Sequence, residues 1–202
     1  MLGEYLGLLP LDHEYYGRVP ITRSGSGTQS AGKAVQWYSY FDAKGVLVHQ
    51  VVRCVPKSFF QRHLDSRGNW VYNMQGVQPV LYRLPELAAR PDELVIFVEG
   101  EKDVHTVERL GFLATTSPMG AQAWHRRYAS SLAGRRVVCL PDCNDAGREY
   151  MGRVQSDVGR CGGDARILNL AGLAEGEDVT DWLKTHTADE LRELIKEAQD
   201  GD

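Results

Sequence analysis

Apolar and polar positions change rhythm near residue 90. Before it, "VQWYSYF", "GVLVHQVVRC" and "NWVYNM" are aromatic and β-branched runs separated by "DAKG" and "DSRG". This pattern predicts an antiparallel meander with glycine-containing turns. After it, "LVIFV" is a short continuous apolar run, as expected of a strand covered on both faces. Val104, Val107 and Leu110 follow at helical spacing, and Gly111 is a favourable residue for ending that helix. "FLATT" predicts a second strand, and "AQAWHRRYASSLAG" a helix with Trp124, Tyr128 and Leu132 four apart. "RVVCL" predicts a third strand, "DAGREYMGRVQSDVG" a helix and "ARILNL" a fourth strand. A last helix starts at Thr187, with Glu190 completing a capping box. Strands alternating with helices imply right-handed crossovers and a mostly parallel sheet.

Three segments result: an N-terminal segment and flexible linker at 1–34, a small β-rich domain at 35–90, and an α/β domain with C-terminal helices at 91–202. The Ser, Gly and Thr-rich "TRSGSGTQSAGKA" (22–34) is too poor in apolar groups to pack, and "LYRLPELAARPDE", with two prolines, marks the boundary near 90.

At 202 residues and 43% hydrophobic, the chain can bury one core, or one core and a small second unit. Its net charge of −4 gives no global basic field of the kind seen in many nucleic-acid binders, so a polyanion would need a local basic face. With no run of 18 apolar residues and no basic start, neither a membrane span nor a signal peptide is expected, and the cytoplasm is the default compartment. Cys54, Cys139, Cys143 and Cys161 lack C-x-x-C spacing and read as reduced, mostly packed thiols.

In a parallel sheet, ligands bind beyond the carboxyl ends of the strands. Two ends here carry acids: Val98 leads into Glu99-Gly100-Glu101-Lys102-Asp103, and Leu140 into Pro141-Asp142-Cys143-Asn144-Asp145. If these strands are neighbours, Glu99 and Asp142 converge, and hard oxygen ligands of that kind suit Mg²⁺ or Mn²⁺. Strand-end acids also serve as helix caps, and for either acid alone that reading stands beside the first.

"LVIFVEGEKDVHTVERLG", "TTSPMGAQAW" and "VVCLPDCNDAGREYM" together resemble the Toprim domain, in the form found in primase-like proteins of phages, plasmids and mobile elements. "GEDVTDWL" is similar to the segment that closes those domains, and "YSYFDAKG…KSFFQRHLDSRGNW…VLYRLPEL" to the small domain that precedes them, so the resemblance spans roughly 36 to 185. It implies a mostly parallel four-stranded Toprim sheet with flanking helices, preceded by a small antiparallel β-rich α+β domain. The implied activity is metal-dependent nucleotidyl transfer making short primers on single-stranded DNA from nucleoside triphosphates, with Mg²⁺ or Mn²⁺, and with a replicative helicase as a possible partner. The family's glutamate falls on Glu99 and its first aspartate on Asp142, while its second aspartate falls on Asn144, an amide. Asp145 is the candidate to replace it as metal ligand and catalytic acid, with Asn144 itself, directly or through water, the other candidate. A Toprim nuclease and a non-catalytic single-strand-binding module remain the alternatives.

Around this centre, Gly100, Lys102 and Gly147 are candidate phosphate contacts, Lys102 alternatively pairing with Asp103 or Glu101. Asp178 and Asp181 are candidate outer acids, or else a helix cap and a solvated acid. Lys57, Arg62 and Arg67 are the candidate nucleic-acid contacts of the meander, since neutralised phosphates supply the sequence-independent part of such affinity.

Overall fold

The structure is a computed structural model and describes residues 32–200. The expected N-terminal linker therefore lies almost wholly outside the described residues.

The meander forms as β1 (Lys33–Phe41), β2 (Leu47–Val55), β3 (Ser58–Leu64) and β4 (Trp70–Val71), antiparallel in that order. Its β1–β2 and β3–β4 turns repeat one device. Asp42 Oδ1 accepts from the amides of Lys44 and Val46 at 2.8 and 2.9 Å, and Asp65 Oδ1 from those of Arg67 and Asn69 at 2.8 and 2.9 Å. Each turn then places a glycine, Gly45 or Gly68, at φ 81°, where a β-carbon would be strained. "SFFQRHL", which the sequence marks mainly as a basic cluster, is a full strand, whereas "NWVYNM" keeps only two strand residues.

The proline-bearing stretch near 90 contains helix α1 (Leu84–Ala89), and Leu81 and Leu87 beside and within it are fully buried. The second sheet is parallel: β5 (Val95–Phe97), β6 (Leu113–Thr115), β7 (Arg136–Cys139) and β8 (Asp164–Ile167), ordered β6-β5-β7-β8. Helices α2 (Glu101–Arg109) and α3 (Asp145–Arg160) follow β5 and β7, and α4 (Val179–Trp182) and α5 (Ala188–Asp200) end the chain. Thr187 and Glu190 form the expected capping box, their reciprocal backbone bonds being 2.6 and 3.2 Å.

The helix expected over 121–134 is instead two 3-10 segments, Gly120–Ala123 and Arg126–Leu132. Trp124 and His125 between them are extended, which seats the Trp124 ring among Phe97, Tyr128 and Tyr150 with centroids 5.6, 5.6 and 6.1 Å away. Aromatic packing there overrides the helical spacing.

Alternation along β5 and β7 divides the interior. Val95, Phe97, Val137 and Cys139 face one cluster, with Leu87, Tyr150 and Val154. Ile96, Val98, Val138 and Leu140 face the other, with Val104, Leu191 and, from the meander, Tyr38, Tyr40 and Val51. The two sheets thus share a core, each buried aliphatic side chain contributing about 1.5–3 kcal/mol.

Candidate functional site

Strands β5 and β7 are adjacent and in register, Phe97 opposite Cys139, so both chains leave the sheet at one edge. Glu99 Oε1 accepts the Asp142 amide at 2.9 Å. Since an aspartate carboxylate reaches at most about 5 Å from its own nitrogen, the two carboxyl groups lie within about 8 Å of each other. Thr116 fixes the backbone here by donating to the Glu99 carbonyl at 3.0 Å. From the meander, Tyr40 donates to buried Glu101 at 2.7 Å, tying the first sheet to the start of α2.

Two further acids join them. Asp103, in the first turn of α2, is 6% exposed, and Asp178 is the N-cap of α4. Thr180 donates to Asp103 at 2.6 Å, and its hydroxyl oxygen lies 2.9 Å from that of Thr106, joining α4 to α2. Lys102 Nζ lies 2.5 Å from Asp178 Oδ2 and 3.5 Å from Asp103 Oδ1. By sequence alone Asp103 stands out only as a partner for Lys102. Its signal was its place on the apolar stripe of α2, at helical spacing from Thr106, Val107 and Leu110, where an unpaired acid is costly.

The cluster is electrostatically unsettled. Burial, then the fields of Glu99, Asp103 and Asp178, pushes the Asp142 carboxyl up to about 7, with Lys102 opposing. Burial pushes Asp103 up to about 6 against the Thr180 hydrogen bond. Glu99 is raised by burial, and the Asp142 amide partly offsets this.

Gly147 lets this packing exist. A β-carbon there would sit 2.2 Å from Glu99 Oε1 and 2.7 Å from the Asp142 carbonyl oxygen. The Gly147 amide is not directed at a ligand, however, because it donates to Asn144 Oδ1 at 2.7 Å. Asn144 is the N-cap of α3, so its amide oxygen is engaged by the helix rather than offered to the acids. The Asp145 carboxylate is fully exposed and paired with Arg148, away from the cluster. The expectation that Asp145 replaces the missing aspartate finds no support in this geometry, since its carboxylate lies in solvent against Arg148. Of the two outer acids, Asp178 faces the cluster, while Asp181 closes the α4 capping box and pairs with Lys184. Gly100 caps α2 in extended backbone, and a β-carbon there would meet only Asp103 Oδ2, at 3.5 Å.

On the meander, Lys57 and Arg67 are exposed at turns. Arg62 is not available in the same way. It is 8% exposed, donates to Gln50 Oε1 at 2.8 and 2.7 Å, and lies 3.9 Å over the Trp70 ring. Its strand position points it into the sheet's own packing, unlike the exposed Lys57 and Arg67.

The donor set suits a hard divalent cation in its chemistry: carboxylates only, with raised proton affinity. Among the described residues no three acid, histidine or cysteine side chains converge as a complete cage. Mg²⁺ needs only one or two carboxylates, the rest of its shell being water and substrate phosphate. Glu99 and Asp142 meet that requirement. The four cysteines are free, and a cavity of about 560 Å³ beside α5, lined by Trp182, His186, Glu193 and Leu194 among others, shares no residue with the Glu99–Asp142 cluster. No helix among the described residues is long and apolar enough to cross a membrane.

No family model matches the sequence, and no curated protein matches it. Solved structures do. The Aquifex aeolicus primase (zinc-binding and RNA polymerase domains) aligns with TM-score 0.61 at 21% identity over 79% of this chain and 39% of its own. The primase fragment of the bacteriophage T7 primase-helicase protein gives 0.57 at 18% over 79% and 61%. The DnaG primase catalytic domain bound to ssDNA gives 0.59 at 18% over 80% and 52%. The chain therefore shares the fold of DNA primase catalytic cores, and spans less than two thirds of each of these chains.

Proposed function

We propose that the chain is a primase-like, metal-dependent nucleotidyl transferase of the Toprim type, making short primers on single-stranded DNA. The observation that carries this reading is the set of carboxylates from β5, β7, α2 and α4 at the carboxyl edge of a primase-like sheet. Glu99 and Asp142 would hold Mg²⁺ or Mn²⁺, with Asp103 and Asp178 as the surrounding acids. When bound, such ions neutralise phosphate charge and make a 3′-hydroxyl a better nucleophile. The chain's own groups prepare that chemistry. The Asp142 amide orients the Glu99 carboxylate, the Thr180 hydroxyl fixes Asp103, and Gly100, which has no side chain, would let a phosphate approach the backbone beside the cluster. Lys57 and Arg67 would neutralise template phosphates, giving a salt-dependent affinity. A replicative helicase as partner is suggested by the T7 neighbour, which is a fragment of a primase-helicase protein.

A second reading, a single-strand-binding module without catalysis, is favoured by one observation: Asn144 caps α3 where the resembling family has an acid. The test is incubation with single-stranded DNA, ribo- and deoxynucleotides, and Mg²⁺ or Mn²⁺, using Glu99→Gln and Asp142→Asn as controls. Oligomers made by the parent chain and lost in both controls support the primase reading. Shortened DNA instead means a nuclease, and binding with neither product means a module.

A further inference from the structure

Lys102 occupies an unusual place for a surface lysine. It stands in the first turn of α2 with 44% of its side chain exposed, yet its ammonium reaches across to the N-cap of α4. There it meets Asp178 and Asp103, whose side chains are only 15% and 8% exposed. Burial opposes the charged lysine, but the Asp178 hydrogen bond and the fields of Asp103 and Asp178 raise its pKa nonetheless. Its charge also acts on Asp142, where it offsets the repulsion from Glu99, Asp103 and Asp178.

We propose that Lys102 is a tethered counter-ion that neutralises the acid cluster before a divalent cation arrives and that such a cation must displace, so that it sets the metal concentration at which the site fills. This rests on the reading that the cluster binds Mg²⁺ or Mn²⁺. The geometry makes the exchange feasible without unfolding. Helix α4 is held to α2 by Thr180 bonding to Asp103 and Thr106, and its cap is held by Asp181, so neither tie depends on the lysine. Releasing the ammonium frees Asp178 and removes positive charge next to the incoming ion. One unit charge several ångströms from a dication, in a half-solvated site, changes affinity by about tenfold.

The experiment compares the parent chain with Lys102→Met, which keeps the apolar stem, and Lys102→Arg, which keeps the charge. Mn²⁺ binding is followed by the electron paramagnetic resonance of free Mn²⁺ at low ionic strength, without nucleotide. Thermal midpoints are read in EDTA and in Mn²⁺. The expected result is Mn²⁺ binding about tenfold tighter in Lys102→Met, with a lower midpoint in EDTA and a larger rise on adding metal. Lys102→Arg should bind Mn²⁺ like the parent chain. If Lys102→Met binds Mn²⁺ like the parent or more weakly, while Glu99→Gln and Asp142→Asn abolish binding, the counter-ion role is refuted and the metal site stands. If the parent chain itself binds no Mn²⁺, the metal site fails and this inference falls with it.

Discussion

Replacing Gly147 with alanine strikes the site at its tightest point. The new β-carbon would lie 2.2 Å from Glu99 Oε1, 2.7 Å from the Asp142 carbonyl oxygen and 3.2 Å from the Asp142 nitrogen. The Glu99 carboxylate can swing away, but it then gives up the Asp142 amide, a hydrogen bond to a charged group worth about 1.5–3 kcal/mol. The Asp142 backbone cannot swing, and overpacking against a fixed neighbour costs about 1–3 kcal/mol more. Alanine returns about 1 kcal/mol of helix propensity, leaving a net loss of roughly 1.5–5 kcal/mol. Gly152, in the same helix with nothing within 4 Å of its would-be β-carbon, is the internal control. Gly152→Ala should be neutral or stabilising by up to about 1 kcal/mol. Urea denaturation midpoints report the stability difference, and Mn²⁺ titration reports the displaced Glu99. If Gly147→Ala proves as stable as Gly152→Ala and binds Mn²⁺ like the parent chain, the close packing of α3 on Glu99 is not what shapes the site.

Three further outcomes are expected. Asn144→Ala should lose the α3 cap and about 1 kcal/mol in a denaturant series, whereas Asn144→Asp, an equally good cap, should hold stability; Asp145→Ala should leave Mn²⁺ binding unchanged, and a loss there would return Asp145 to the site. For Asp142, whose carboxyl rises from 3.8 to about 7 on folding, the native state holds a proton the unfolded chain has released. Without metal, stability should therefore be greatest at the acid end of this range and fall as pH rises toward 7, a slope that Asp142→Asn should flatten in urea titrations across pH. Reversing the charges of Lys57 and Arg67 together should reduce the salt dependence of single-stranded DNA binding, while Arg62→Ala should instead lower the denaturation midpoint by unpairing Gln50 and unstacking Trp70; an unchanged salt slope in the double variant moves the template elsewhere.

The parallel sheet was readable because its strands are short, apolar and closed by signals with a steric cause. Gly111 and Gly134 take φ 92° and 69° where helical segments were expected to stop. Placing Glu99 beside Asp142 needed only the adjacency of two strands. What stayed hidden depends on contacts that local pattern does not encode. Trp124, Tyr128 and Leu132 carry helical spacing, but the ring of Trp124 finds more to pack against with an extended backbone. Arg62 reads as a free cation until Gln50 and Trp70 arrive from neighbouring strands. Asn144 and Asp145 look equivalent as oxygen donors, and only the start of α3 decides that one caps and the other faces water. Asp178 and Asp103 meet across 75 residues, through Lys102 and Thr180, which no spacing rule predicts.

The order of strands in the parallel sheet has a consequence for synthesis of the chain. β5 is interior to the sheet, flanked by β6 and β7, both of which come later in the sequence. As the ribosome extends the nascent polypeptide, "LVIFV" emerges with neither edge paired. It waits about 40 residues for β7, or some 2–8 seconds at ordinary elongation rates. Both edges are open until β6 follows about 18 residues on, and from then until β7 one apolar edge remains a template for intermolecular pairing. The meander is translated first and offers Tyr38, Tyr40 and Val51 as an apolar face on which β5 can rest. On this view the N-terminal sheet shields the growing chain before it has any part to play in binding.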